Sequence, residues 1–258
     1  MLAALLCGCS GPRYSSTRGA SLERFKLHST LVHRTLTELL VRPRGGGRRP
    51  LLVLLHGRGS GPDGVLSDGF FRGLRALGGR APDVLLANGG DHSYFHDRRD
   101  GRWGTYVVRE AIPAAVRRLN ADGARVAIGG ISMGGFGALD VARLYPHRFC
   151  AVGGHSAALW ESGGATAPGA FDDAGDFARH DVIAAARKTP RLYGATPVWL
   201  DGGSDDPFRS ADSDLARILH IRYRVWPGGH DSAYWSTHMP AYLRFYSGAL
   251  ARCRTGSQ

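Results

Sequence analysis

The chain predicts an α/β protein, a mostly parallel central sheet covered by helices on both faces, and two observations carry that expectation. Short apolar runs alternate with helix-period stretches along 258 residues, and no linker or internal repeat divides them. The run 51–55 is apolar throughout rather than alternating, the pattern of a strand buried on both faces. In chain order, strands are expected at residues 36–41, 51–55, 83–87, 125–128, 149–152, 198–200 and 221–226. Helical stretches are expected at 104–120, 136–145, 177–186, 213–220 and 239–251, the second ending before Pro146, which stops a helix. Residues 157–196, rich in glycine, alanine and aspartate, are left between elements.

The most informative stretch is 126–139, V-A-I-G-G-I-S-M-G-G-F-G-A-L. A buried-strand pattern runs into Ser132, flanked by Gly130 and Gly134, and then into a helix. Such a G-x-S-x-G turn holds its serine in a strained conformation with Oγ exposed above the sheet, the glycines standing where a Cβ would meet neighbouring backbone. Helix N–H groups then point toward an oxyanion forming nearby. With 37 glycines in the chain the pattern alone is weak, and it is the strand before and the helix after that give it weight. The bland reading is a glycine-rich turn with an incidental serine.

The remaining groups for acyl chemistry follow. After the 198–200 run comes Asp201-Gly202-Gly203-Ser204-Asp205-Asp206-Pro207, a polar turn with three carboxylates. Asp206 is the expected acid, because G-x-x-D-P after a strand is its common setting in hydrolases of this architecture. Asp205 is second, and aspartates also serve merely as turn formers. The 221–226 run ends in Pro227-Gly228-Gly229-His230, which offers His230 as general base. His155 competes, yet lies too near Ser132 in sequence. The order Ser132, Asp206, His230 is that of α/β-hydrolases. His230 would accept the Ser132 proton, Asp206 would hold the imidazole tautomer, and an acyl-serine would form. Two backbone N–H groups should complete an oxyanion hole. Met133 follows the nucleophile, and Arg58, with Gly57 second, lies in the loop after the buried run 51–55. His56 is expected to organise that loop rather than act as a base.

With these segments in place the chain resembles the esterase D-like branch of the α/β-hydrolase superfamily, which includes S-formylglutathione hydrolases, feruloyl and acetylxylan esterases and secreted mycolyltransferases. The marks are L-L-H-G-R-G at 54–59, N-G-G-D-H-S-Y-F-H-D-R at 88–98, W-G-T-Y at 103–106, G-G-I-S-M-G-G-F-G-A-L at 129–139 and P-G-G-H-D-S-A-Y-W at 227–235. The likeness spans residues 21–251. It implies an α/β-hydrolase fold in which 157–196 is a short insertion near the active site, leaving an open cleft. It further implies a serine carboxylic-ester hydrolase of small acyl or aryl esters. Acyl transfer to a sugar or other alcohol is the alternative, and a non-catalytic binding protein on the same scaffold a third reading. The branch spans several acyl donors and acceptors, so it does not choose a substrate.

Tyr94, Phe95, Trp103, Trp160, Tyr234 and Trp235 gather in loops expected at the carboxyl ends of strands. Tyr94, Trp103, Trp160 and Trp235 are candidates to bind a sugar ring or an aromatic acyl group, and packing is the competing role. Asp91, His92, His96 and Asp97 match no ordinary zinc spacing, so neither metal nor other cofactor is expected. A net charge of +11 raises nucleic acid as a partner. Only Lys26 and Lys188 among 33 basic residues are lysines, and the arginines are scattered rather than set in a stripe with aromatics. An arginine-biased residue usage explains the charge, and the expected partner is a small-molecule or glycan-linked ester.

Residues 1–20 read as an export or lipoprotein leader and tether, and 21–258 as the esterase domain. Leu6-Cys7-Gly8-Cys9 approximates a lipoprotein processing site, with Cys9 as the lipid-bearing residue and the only membrane attachment. Cys7 inside that motif and the missing basic n-region depart from the pattern, and an upstream start would account for both. An extracellular or cell-envelope location is expected, with the cytoplasm as alternative. Export would disfavour S-formylglutathione as substrate. Cys150 and Cys253 either pair, as suits an oxidising compartment, or Cys150 is an inert core thiol.

Overall fold

The computed structural model describes residues 14–253; the Cys7 and Cys9 motif lies outside them. Among the described residues, ten strands and eight α-helices follow one another. Strands β1 (Ser21–Ser29), β2 (Arg34–Arg42) and β3 (Pro50–Leu55) precede helix α1 (Asp68–Leu77) and β4 (Asp83–Ala87). A small hairpin, β5 (Asp97–Arg98) and β6 (Gly101–Arg102), leads into α2 (Trp103–Tyr106), a wider π turn at Val107–Ala111, and α3 (Ile112–Leu119). Then come β7 (Asp122–Ile131), α4 (Met133–Leu144), β8 (Val152–His155), α5 (Ala174–His180), α6 (Val182–Lys188), β9 (Val198–Gly203), α7 (Arg209–Ile218), β10 (Tyr223–Trp226) and α8 (Ser232–Arg252). Eight strands form one sheet in the order β1-β2-β4-β3-β7-β8-β9-β10. β1 and β2, and β2 and β4, run antiparallel, and every pairing from β4 to β10 is parallel.

The period-2 geometry of β3 explains its unbroken apolar run. Leu51, Val53 and Leu55 enter the core under α2, α3 and α4, while Leu52 and Leu54 enter the core under α1 and α8. All five are buried, and each side chain so buried stabilises the fold by about 1.5 to 3 kcal/mol. Solvent meets neither face of the central strands, and a strand of this kind has no polar side to alternate with.

Several boundaries differ from the sequence expectation for physical reasons. The strand expected at 149–152 lies at Val152–His155. Its two central residues are Gly153 and Gly154, which favour no strand on their own, but a Cβ at Gly153 would sit 1.9 Å from the Tyr246 hydroxyl. The single helix expected at 177–186 is two, because the Asp181 side chain accepts a hydrogen bond from Ala184 N–H and starts a new helix there. Helix α8 begins at Ser232 rather than 239, so Pro240, which mimics a helix start, lies in its interior. Strand β1 and helix α1 escaped the sequence reading. The first alternates apolar and charged residues on the sheet's edge, and the second carries Gly69 and Gly73, where α8 approaches too closely for a side chain.

A disulfide joins Cys150, just before β8, to Cys253, at the end of α8. Of the two readings open for Cys150, pairing is the one the structure has. No helix among the described residues is long and apolar enough to cross a membrane.

Candidate active site

The parallel strands β3, β7, β9 and β10 end on one side of the sheet, and the loops beyond them meet around Ser132. Ser132 links β7 to α4 with φ 55° and ψ −117°, a left-handed conformation that a non-glycine residue adopts at a cost of about 1 to 3 kcal/mol. The flanking glycines make the turn sterically feasible. A Cβ on Gly130 would lie 2.2 Å from the Gly134 carbonyl oxygen, and one on Gly134 would lie 2.2 Å from that of Leu55. Ser132 N–H donates to His155 O at 3.1 Å, and Ser132 O accepts from Phe136 and Ala158 N–H at 3.0 Å each, so the backbone is held on both sides.

The histidine and carboxylate arrive from β10 and β9. Ser132 Oγ and His230 Nε2 are 2.8 Å apart, and His230 Nδ1 is 3.0 Å from Asp206 Oδ2. With Nδ1–H donating to Asp206, Nε2 is left to accept from the serine hydroxyl. Asp206 is buried and its other oxygen accepts from Phe208 N–H at 2.9 Å. Burial alone would raise its carboxyl, but hydrogen bonds from His230 and the Phe208 N–H outweigh that and hold it below the usual carboxylate range. The side chain of His230 is 21% exposed, which leaves the site open to water.

The competing residues are placed elsewhere. Asp205 is exposed and takes a hydrogen bond from the Ser204 hydroxyl. Asp201 is fully buried and accepts from Trp199 Nε1, Tyr234 OH and Tyr242 OH while facing His155 Nδ1 at 2.7 Å. His155 Nε2 meets Tyr246 OH at 2.8 Å, so this histidine belongs to a network joining α8 to the sheet. Burial lowers the pKa of His56 to about 4, and the ring bridges two backbone groups as a neutral imidazole. Nδ1–H donates to Gly57 O at 2.9 Å, and Nε2 accepts from Gly89 N–H at 3.0 Å. That fixes the loop after β3, where a Cβ built on Gly57 would stand 3.7 Å from Ser132 Cβ. Neither Arg58 N–H nor Met133 N–H has an acceptor among the described residues.

The aromatic candidates divide. Trp103 is 1% exposed, with Nε1 donating to Asp100 and its ring beneath Gly90, so it supports a loop and is corrected from substrate contact to packing. Tyr94 is likewise corrected, since it is 3% exposed and wedged against Phe136, Trp160 and Phe171. Trp160 and Trp235 stay partly exposed. The Trp235 ring meets His230 edge to face at 5.1 Å, and Phe208, missed in the sequence, approaches the same imidazole at 5.1 Å. Its position two residues after Asp206 was the signal available. The insertion borders the site, its Pro168 carbonyl accepting from the Arg58 guanidinium at 3.0 Å. His96 pairs with Asp176 and Asp97 accepts from Thr105 N–H, while Asp91 and His92 are exposed, so the four metal-like residues diverge. No group of three or more such ligands converges among the described residues.

An eight-stranded, mostly parallel sheet with helices on both faces and a strand–serine–helix turn at its carboxyl edge defines the α/β-hydrolase class. The model of the family described as "Putative esterase" matches residues 41–246, and the chain belongs to that family. Its general chemistry is ester hydrolysis. Esterase Rv1288 of Mycobacterium tuberculosis (strain ATCC 25618 / H37Rv) is 32% identical over 122 residues, 44% of this chain. The chain spans only 26% of that relative's length. Among solved structures, a ferulic acid esterase superposes with a TM-score of 0.73 at 21% identity, covering 89% of this chain and 98% of the other. An S-formylglutathione hydrolase from Agrobacterium tumefaciens superposes with a TM-score of 0.75 at 18% identity, covering 92% and 98%. At these identities the structures speak for the fold alone.

Proposed function

We propose that the protein is a serine carboxylic-ester hydrolase that works through an acyl-serine intermediate on small acyl or aryl esters. The observation that carries this is the unbroken chain of contacts from Ser132 Oγ through His230 to Asp206, at 2.8 and 3.0 Å. These lie within the reach a base needs to its nucleophile and an orienting carboxylate needs to that base. Ser132 Oγ attacks the ester carbonyl as His230 Nε2 takes its proton, and the ionised Asp206 stabilises the imidazolium. The tetrahedral oxyanion is held by Arg58 and Met133 N–H, donors of a kind worth about 3 to 4 kcal/mol each. Collapse expels the alcohol, protonated by His230. Water, deprotonated by the same imidazole, then attacks the acyl carbon; the carbon–Oγ bond breaks, the imidazolium returns the proton to Ser132 Oγ and the acid leaves, as the exposure of His230 allows.

Fluorophosphonate labelling followed by peptide mapping tests the reading. The adduct should fall on Ser132 and vanish in Ser132→Ala and His230→Ala, and Ser132→Ala should abolish turnover of p-nitrophenyl acetate without unfolding. Labelling elsewhere, or turnover retained in Ser132→Ala, overturns the assignment. The disulfide between Cys150 and Cys253 favours an extracellular or cell-envelope setting for this activity.

A further inference from the structure

A cavity of about 360 Å³ lies between the turn at Pro62–Val65, the end of β7 and the first turns of α8, with Trp235, which contacts His230, in its wall. Val65, Leu66, Ile131, Ala233, Trp235 and Met239 supply its apolar walls. Its polar groups are the hydroxyls of Ser67, Ser232 and Ser236 and the indole N–H of Trp235, which has no partner among the described residues, and no charged or amide side chain of those residues lines it. Two of the walls belong to the reaction centre. Ile131 immediately precedes Ser132, and Trp235 is the residue whose ring meets the His230 imidazole edge to face.

We infer that this cavity receives the alcohol portion of the ester, and that this portion is apolar, an alkyl or aryl group; the inference rests on the roles given above to Ser132 and His230. The direction of proton flow sets the side. When the Ser132 Oγ–carbon bond forms, the hydroxyl proton passes to His230 Nε2. When the carbon–alkoxide bond breaks, that proton passes to the departing oxygen, which must stand against the imidazole. The carbonyl oxygen meanwhile turns toward the backbone donors at residues 58 and 133. The group attached to the departing oxygen therefore leaves beside the imidazole, which Phe208 and Trp235 each approach at 5.1 Å, and of these two sides the one at Trp235 is backed by the cavity. Its walls lack the charged and amide partners that commonly hold a sugar's hydroxyls, and the larger part of what they offer is apolar contact, with a few serine hydroxyls and the Trp235 N–H at the edge.

Acetates of ethanol, butanol and hexanol separate this site from an acyl site, because the three alcohols leave with nearly the same acidity. Burying a methylene is worth about threefold to fourfold, so kcat/KM should rise at least tenfold from ethyl to hexyl acetate. The ethyl esters of acetic, butyric and hexanoic acids should show a weaker trend. Ala233→Trp, a change at an exposed position on the cavity rim, should collapse the hexyl-to-ethyl ratio toward one while fluorophosphonate still labels Ser132. Ser232→Trp, at the exposed start of α8, replaces it if the first variant does not fold. A flat alcohol series, a trend carried by the acyl chain, or an unchanged ratio in the labelled variant overturns the inference alone. Absence of labelling in the wild-type protein overturns the catalytic roles, and this inference with them.

Discussion

Ser132 keeps its unfavourable backbone because its glycine neighbours let strand, turn and helix close together where any Cβ would clash, and the result is an Oγ aimed at His230. Asp206 supplies the other half of that alignment. Asp206→Asn leaves the fold but, with Oδ1 still accepting from Phe208 N–H, turns an uncharged amide donor toward Nδ1 in place of the carboxylate that selects the Nδ1–H tautomer, and kcat should fall by about 10³ to 10⁴, measured on p-nitrophenyl acetate. Two buried titratable groups hold the Asn88–Gly90 turn with opposite pH signs. His56 has its pKa lowered from 6.5 to about 4 by burial, so its contribution to stability is complete above pH 6.5 and is lost as pH falls toward 4. Glu38 accepts from Asn88 N–H and Tyr106 OH, and burial raises its carboxyl from 4.5 to about 7. Its contribution is complete below pH 4.5 and is lost as pH rises through 7. Tm measured against pH should therefore fall less steeply below pH 6.5 in His56→Asn than in wild type, and Glu38→Gln should flatten the opposing slope between 4.5 and 7. Parallel profiles in wild type and variants would refute both assignments.

At the scale of elements, helix α8 does more than cover the sheet. Asp231 caps it, accepting from Ala233 and Tyr234 N–H at 2.9 Å, and so fixes the residue after His230. Farther along, Tyr234 and Tyr242 reach Asp201, and Tyr246 reaches His155, whose carbonyl holds Ser132 N–H. The catalytic histidine and serine proposed here are thereby tied to one helix. Asp231→Ala should cost about 1 kcal/mol in urea unfolding, the usual value of an N-cap, and should lower kcat at least tenfold because the His230 loop loses its anchor. Unchanged kcat with the expected stability loss would show that the loop is positioned without the cap. The sequence placed the start of this helix seven residues late, since neither the cap at Asp231 nor an interior Pro240 is separable from a loop until the tyrosines have partners.

For the molecule as a whole, the disulfide closes a loop between residues 103 apart in sequence and pins the last turn of α8 to the start of β8. A cross-link over such a loop removes up to about 4.7 kcal/mol of denatured-state freedom in the chain-entropy account. Dithiothreitol, or Cys253→Ser, should lower the unfolding free energy obtained from urea titration by an amount approaching that ceiling, with the loss shared between stability and the rigidity of α8. A shift below about 1 kcal/mol would mean that the Asp201 network alone holds the helix. The network makes the comparison informative, because it secures the same helix by packing and hydrogen bonds nearer its other end.

By itself the sequence located β3, β4, β7 and β9 and offered the candidate triad. Leu51 to Leu55 and Val126 to Ile131 are apolar whichever way they face, and a glycine-flanked serine between strand and helix has few other uses. Asp206 and His230 could be chosen because each follows a strand at a spacing local to the chain. The tertiary structure alone decided which aromatics are walls and which are struts, why β8 is built of glycines, and that Cys150 is bridged. Each of these depends on a partner distant in sequence: Trp103 on Gly90, Gly153 on Tyr246, Cys150 on Cys253. Local pattern carries the preference of a segment for strand, turn or helix, whereas exposure and close approach are properties of what the rest of the chain brings beside it.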